Sequence, residues 1–261
     1  MANTFTYIFL AVLALSIATR SWLAWRHIRH VKAFRNEVPA EFAERVSVAA
    51  HQKAADYTVA KARFGQLGLA VETMLLLGLT LGGGLDALAS LWQTHFAGMT
   101  FGLALIFSVT VISGIVDLPL ALWRQFVIEG RFGFNRMTPG LFFLDLLKST
   151  LIGALIGTPV ILAVLWLMGA MGNLWWLYVW LFWCSFNLVI LFAYPTWIAP
   201  LFNKFTPLEA GETKARVEAL LARCGFSSGG LFVMDGSKRS AHGNAYFTGF
   251  GQSKRIVFFD T

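Results

Sequence analysis

Five long apolar stretches alternate with short polar connections along this chain. They run approximately from Thr4 to Trp25, Gln66 to Leu85, Phe96 to Trp123, Ser149 to Met171 and Leu174 to Leu201. A helix needs roughly 20 apolar residues to cross a bilayer, and each stretch supplies that length. Lipid offers no hydrogen-bond partners to an open backbone, so each stretch is predicted to be helical. The pattern changes after Leu201. An amphipathic stretch with apolar positions Val217, Leu220, Leu221 and Cys224 predicts a helix, by i, i+3, i+4, i+7 spacing. Three short β-type runs follow, at Leu231 to Met234, Ala245 to Phe250 and Arg255 to Phe259.

Local signals sharpen these limits. Thr138-Pro139 opens the fourth helix as N-cap and first helical residue, after Gly133 and Asn135 have broken the preceding one. Thr206-Pro207-Leu208-Glu209 has the form of a capping box for the amphipathic helix, and Gly225 is its stop. Ala40 to Arg63 holds no Gly and is rich in Ala, Glu, Lys and Arg, which predicts a helix running into the second span. Gly251-Gln252-Ser253-Lys254 turns the second β-run into the third, so the expectation is a helix followed by a small β-meander. A sheet of three strands needs a further element to cover its face.

Composition agrees with a membrane protein. The chain of 261 residues is 57% hydrophobic and 13% charged, where a soluble domain carries about 25% charged residues. Ten Trp suit the membrane–water boundary. The net charge of +7 is distributed unevenly. The first connection carries Arg26, Arg29, Lys32, Arg35, Arg45, Lys53, Lys61 and Arg63, and the third carries Arg124, Arg131, Arg136 and Lys148. The second connection, Asp86 to His95, and the fourth, at Gly172 and Asn173, carry no Lys or Arg. The positive-inside rule therefore places the N-terminus outside and the C-terminal region in the cytoplasm. The N-terminus has no basic n-region and no A-x-A-like site, which reads as a retained first span. The basic charge forms no stripe interleaved with aromatics on a soluble domain, so nucleic acid is not an expected partner.

Several polar residues invite a chemical reading. Glu72 and Asp117 lie inside apolar stretches, where a carboxylate suggests a relay or an internal partner. Both lie near the ends of their spans, which favours local hydration over an ion relay. Ser185 and Asn187 read as helix-contact residues. His27 and His30 have helical i, i+3 spacing, but Arg26, Arg29 and Lys32 around them repel a metal cation, so this is a basic membrane-surface patch. Cys184 and Cys224 form no C-x-x-C pair and suggest neither a disulfide nor a zinc site.

The tail carries a longer motif. Tyr194-Pro195, Ile198 to Leu208 and Val233 to Phe250 resemble the type I CAAX prenyl proteases, as do the turn residues Phe126 to Glu129, Gly133 to Asn135 and Thr138. The resemblance extends over essentially the whole chain and includes the five-span layout with its long first connection. It implies an all-α polytopic membrane protein of about five transmembrane helices, with a small α+β cytoplasmic domain at the C-terminus. Residues 1–203 would be the transmembrane helical domain and 204–261 the start of a cytoplasmic peptidase domain. The family fold implies a helical barrel around a water-filled chamber. Its chemistry is peptide hydrolysis with Zn2+, two ligands and the general base coming from H-E-x-x-H and a third ligand from a later Glu.

This sequence contains no H-E-x-x-H. Its histidines are His27, His30, His51, His95 and His242, and none is followed by Glu. The resemblance therefore implies that zinc ligands and catalytic Glu lie beyond Thr261, with no catalytic and no metal residue in this chain, which alone should be inactive. The resemblance does assign substrate-binding residues, namely Asn244, Ala245 and Tyr246, as an edge strand that pairs with a peptide by β-augmentation. His242 is a polar loop residue beside that strand. Lys238 and Arg239 are open to a substrate carboxylate, a lipid headgroup or solvent. The implied partners are a peptide or protein substrate, including one with a prenylated C-terminus, and the lipid bilayer. A bacterial inner membrane, or the endoplasmic reticulum membrane of a eukaryote, is the implied location. The competing readings are a non-catalytic membrane scaffold and a transporter built on Glu72 and Asp117. A transporter predicts internal repeats and discontinuous helices, and the sequence shows no repeat.

Overall fold

The computed structural model describes residues 3–226, 228–249 and 254–261. All five apolar stretches are in helices long and apolar enough to cross a membrane, at Thr4–Ala33, Val48–Thr80, Gly98–Phe132, Pro139–Ala170 and Gly172–Leu201. Their apolar side chains point outward: Leu155 is 77% exposed and Trp197 is 73% exposed. Such exposure would be costly in water and is natural in lipid. The chain forms two compact units, residues 1–96 with 104–132, and residues 97–103 with 133–261.

The first unit holds α1 (Thr4–Ala33), α2 (Val48–Thr80), α3 (Gly84–Gln93), most of α4 (Gly98–Leu122) and the short α5 (Gly130–Phe132). The Asn3 and Ser47 side chains cap α1 and α2 by accepting from the N–H of Thr6 and Ala50. The helix expected from Ala40 begins only at Val48. Residues Ala40–Phe42 form a single 3-10 turn, because Ser47 supplies the N-cap and Pro39 stands before the turn. Arg35 joins the α1 end to α2 through two bonds of 2.8 Å to Asp56. The second connection is a helix, α3, entered through Gly83 at φ +76°, and the Trp92 indole N–H donates to Ser108 of α4 at 2.7 Å.

Pro119 lies inside α4, and the next turn, Trp123–Glu129, widens to a π-helix. A second π turn, Tyr194–Ile198, contains Pro195. A proline removes an N–H from the i→i−4 ladder, and a wider turn is one way the chain accommodates the lost bond. The Tyr57 hydroxyl donates to Glu129 at 2.7 Å, and its ring packs edge-on against Phe132.

The second unit holds α6 (Pro139–Ala170), α7 (Trp175–Ala193), α8 (Glu212–Arg223) and a sheet. Thr138 and Pro139 start α6 as expected, with the Thr138 hydroxyl accepting from Leu141 N–H. The sheet has four strands: β1 (Phe205–Pro207), β2 (Leu231–Met234), β3 (Ala245–Thr248) and β4 (Arg255–Phe259). Their order is β1-β2-β4-β3, with β2 and β4 parallel and both outer pairs antiparallel.

Two expectations are corrected here. Thr206 and Pro207 belong to β1 and not to a capping box, and α8 begins at Glu212 after Gly211. Thr206 pairs with Val233 and Pro207 with Phe232, and an edge strand tolerates Pro because one side of its backbone needs no ladder partner. The sheet is also no meander. β4 is an apolar run from Ile256 to Phe259, and Val257 is 1% exposed, so it takes a central position between β2 and β3. The second β-run forms a strand over Ala245–Thr248, while Phe250 and the turn residues Gly251 to Ser253 lie outside the described residues. Gly225, at φ +62°, closes α8 in a Schellman motif, with Phe226 N–H bonded to Leu221 and Gly225 N–H to Ala222.

Candidate functional site

β3 lies at the edge of the sheet, and the register shows which way its backbone faces. Phe259 N–H donates to the Asn244 carbonyl at 2.9 Å, so Asn244 and Phe259 form a hydrogen-bonded pair. Such pairs alternate along an antiparallel ladder. Tyr246 with Val257 and Thr248 with Arg255 are therefore the next bonded pairs, while Ala245 and Phe247 turn their N–H and C=O groups to the free side. Among the described residues, no strand occupies that side.

Side chains at the edge follow the same alternation. Ala245 and Phe247 are exposed, and Tyr246 and Thr248 are half-buried. The Tyr246 ring packs edge-on to Phe259, and burial raises its hydroxyl above the ordinary tyrosine range. The Asn244 side-chain oxygen accepts the outward Ala245 N–H at 2.9 Å. Asn244, Ala245 and Tyr246 are thus brought together at the head of one open edge.

The loop before β3 is moored on three sides. Asp235 accepts from the Lys204 backbone N–H and from the Lys238 ammonium, each at 2.7 Å. Asp260, just after β4, accepts from the Ser237 N–H and hydroxyl, each at 2.7 Å. These bonds hold its carboxyl below the usual carboxylate range against the opposing effect of burial. Arg239 donates to Asp145 of α6 at 2.6 and 2.9 Å, to the Asn203 side chain at 2.7 Å and to the Phe202 carbonyl at 2.8 Å. Asn135 bridges Ser240, Arg136 N–H donates to the Arg239 carbonyl, and Ala241 N–H to the Phe134 carbonyl. The His242 ring stacks on Phe134 at 4.0 Å.

Lys238 and Arg239, which the sequence left open to substrate, headgroup or solvent, each bond a carboxylate of the protein, Asp235 and Asp145. Asp145, Asn203, Ser237 and Asp260 had no role assigned to them from sequence. Asp145 carried one legible signal, a carboxylate on the helix that becomes the fourth span, but its partner lies 94 residues away. Ser185 and Asn187, read as helix contacts, bond to the Leu181 and Trp183 carbonyls of their own helix at 2.9 and 2.7 Å. Glu72 and Asp117 are exposed, and neither forms an ion pair among the described residues.

The donor set can be tested against a zinc ion, which takes three or four His, Cys or carboxylate ligands. Among the described residues, no group of three such side chains could hold a metal.

Membrane-length helices joined to a small sheet with an open edge strand define a polytopic membrane protein. The comparisons narrow this class. The family described as CAAX prenyl protease N-terminal, five membrane helices, matches residues 27–204, and peptidase family M48 matches residues 207–261. The chain belongs to the CAAX prenyl protease family of membrane peptidases. A Caenorhabditis elegans CAAX prenyl protease 1 homolog is 36% identical over 257 residues, covering 97% of this chain and 57% of the relative. The Saccharomyces cerevisiae CAAX prenyl protease 1 is 45% identical over 153 residues, covering 58% of this chain and 33% of its own length. The crystal structure of S. mikatae Ste24p superposes with a TM-score of 0.87 at 30% identity, covering all of this chain and 62% of that one. The chain spans about half the length, or less, of the curated relatives it matches.

Proposed function

We propose that these residues form the membrane helices and substrate strand of a zinc metalloendopeptidase that hydrolyses peptide bonds in prenylated or membrane-associated proteins. The observation that carries this reading is the open edge of β3, with the Ala245 and Phe247 backbone groups directed outward and Asn244 at its head. An extended peptide adds there as a further strand. Its backbone exchanges hydrogen bonds with Ala245 and Phe247, and the Asn244 amide, released from the Ala245 N–H, orients it. Tyr246 packs inward and keeps the strand flat against β4.

Zinc, if bound in the enzyme, would supply the activated water and polarise the peptide carbonyl. In this reading its ligands and the catalytic Glu are not supplied by the described residues. The family matches change between residues 204 and 207, which supports residues 1–203 as the membrane domain and 204–261 as part of the peptidase domain. The basic connections support an outside N-terminus and a cytoplasmic sheet. The family membership favours a peptidase over a transporter or a scaffold.

The test is peptide cleavage by the complete gene product, with and without Asn244→Ala. The expected result is chelator-sensitive cleavage of a prenylated CAAX peptide, reduced about tenfold or more by Asn244→Ala with zinc content unchanged. Undiminished turnover in the variant would remove the substrate-strand assignment, and turnover insensitive to chelation would remove the zinc peptidase reading.

A further inference from the structure

An open cavity of about 600 Å3 lies in the second unit, away from the free edge of β3. Four cationic side chains line it, Lys148, Lys204, Lys238 and Arg255, together with the single carboxylate Asp235. Asp235 is already paired with Lys238 at 2.7 Å. The other three cations form no ion pair among the described residues. Lys148 donates to the Leu201 carbonyl at 3.3 Å, which leaves two of its three N–H groups, and the Arg255 guanidinium lies over the Phe232 ring at 5.6 Å. Lys148 and Arg255 are half-buried and Lys204 is exposed. The protein has thus gathered positive charge in a concave site without neutralising it, an arrangement that favours an anion.

The position says which anion. Lys148 immediately precedes the apolar run that starts at Ser149, and Pro200 to Lys204 leave the last apolar helix. Both segments line this cavity, where the apolar runs give way to polar residues. Trp197 and Leu201, on the same exit, are 73% and 53% exposed, the aromatic and apolar surface that suits acyl chains below a headgroup. We propose that this cavity binds the phosphate of an anionic phospholipid, with Lys148, Lys204 and Arg255 as its ligands. Basic pockets between spans at one leaflet hold acidic headgroups by this chemistry. The site is independent of the peptidase reading, and needs only that these helices span a bilayer.

The test is lipid binding by the full-length protein in neutral detergent, read by native mass spectrometry. Phosphatidylglycerol is expected to bind in preference to phosphatidylcholine. Lys204→Gln is expected to weaken that binding about fivefold, and Lys148→Gln/Lys204→Gln/Arg255→Gln roughly a hundredfold. The control Lys214→Gln/Arg216→Gln removes two cations of α8 that pair with Glu218 and Glu212 and do not line the cavity, and should leave the preference intact. A charge-retaining variant, Lys148→Arg/Lys204→Arg/Arg255→Lys, should keep phosphatidylglycerol bound. Equal loss in that variant would show a structural effect and sink the proposal, as would an undiminished preference in the triple Gln variant. Displacement of the lipid by millimolar inorganic phosphate would replace the lipid assignment with a free-anion site.

Discussion

The Arg239 guanidinium holds the Asp145 carboxylate with two parallel N–H donors, Nε at 2.6 Å and Nη2 at 2.9 Å. Its remaining donors reach Asn203 and the Phe202 carbonyl, so one side chain ties the loop before β3 to α6 and to the exit of the last apolar helix. Both partners are largely buried, at 20% and 16% exposure. Removing one leaves the other charge poorly solvated, at a cost of about 3 kcal/mol. Arg239→Ala and Asp145→Ala should each lower the midpoint of thermal unfolding in detergent by several degrees, and the double variant should lose less than the two combined. Arg239→Lys should rescue little, because an ammonium cannot present the planar fork. Additive losses in the double variant would show that the two residues act separately.

Asp260 gives a pH dependence with a defined sign. Its folded pKa lies below the ordinary value because the Ser237 hydroxyl and N–H bond to the ionised form. The stabilisation is therefore fully present above the unfolded carboxylate value of about 3.9 and is lost as pH falls through the lower folded value. Asp260→Asn should flatten the acid limb of a stability-versus-pH curve below about pH 4 and change little near neutrality relative to its own baseline. An acid limb of unchanged slope would show that Asp260 does not contribute to it.

Val257 is the best-buried side chain of the sheet, at 1% exposure, and stands opposite Phe232 on one side and Tyr246 on the other. Val257→Ala removes two methyl groups from a buried site, and should cost about 2 kcal/mol in denaturant unfolding. The same change at Phe247, which is 71% exposed, should cost under about 1 kcal/mol. The ordering of these two losses tests whether β4 is central and β3 peripheral.

The helices were the most legible part of the sequence, because lipid imposes one solution on any apolar run long enough to cross it. Thr138-Pro139 and Gly225 were legible for a different reason, since each acts within its own turn. Thr206-Pro207 misled because its local signal for a helix start competes with pairing to Val233 and Phe232, distant in sequence. The parallel pairing of β2 with β4 had a readable clue in the unbroken apolar run Ile256 to Phe259, which marks a strand buried on both faces. Asn244, Ala245 and Tyr246 were named from resemblance, but the moorings that position them were not. Asp145 with Arg239 and Asp260 with Ser237 join residues that no local pattern connects.

Direction along β3 yields the sharpest prediction about the edge. The N–H groups of Ala245 and Phe247 point away from β4, while that of Tyr246 points toward Val257. Phe247→Pro therefore deletes an outward donor and leaves the ladder to β4 whole, since a proline is tolerated where its missing N–H faced no strand. Tyr246→Pro deletes a ladder bond inside the sheet and should cost about 3 kcal/mol. The Phe247 ring also meets Phe226 edge-on at 5.9 Å, so Phe247→Ala is the reference that isolates the backbone from the side chain. In the complete gene product, Phe247→Pro should unfold within a degree or two of Phe247→Ala yet turn over peptide about tenfold more slowly, through a raised KM, because one strand-addition hydrogen bond is worth about 1.5 kcal/mol. Equal turnover in the Pro and Ala variants at equal stability would show that peptide does not pair with this edge.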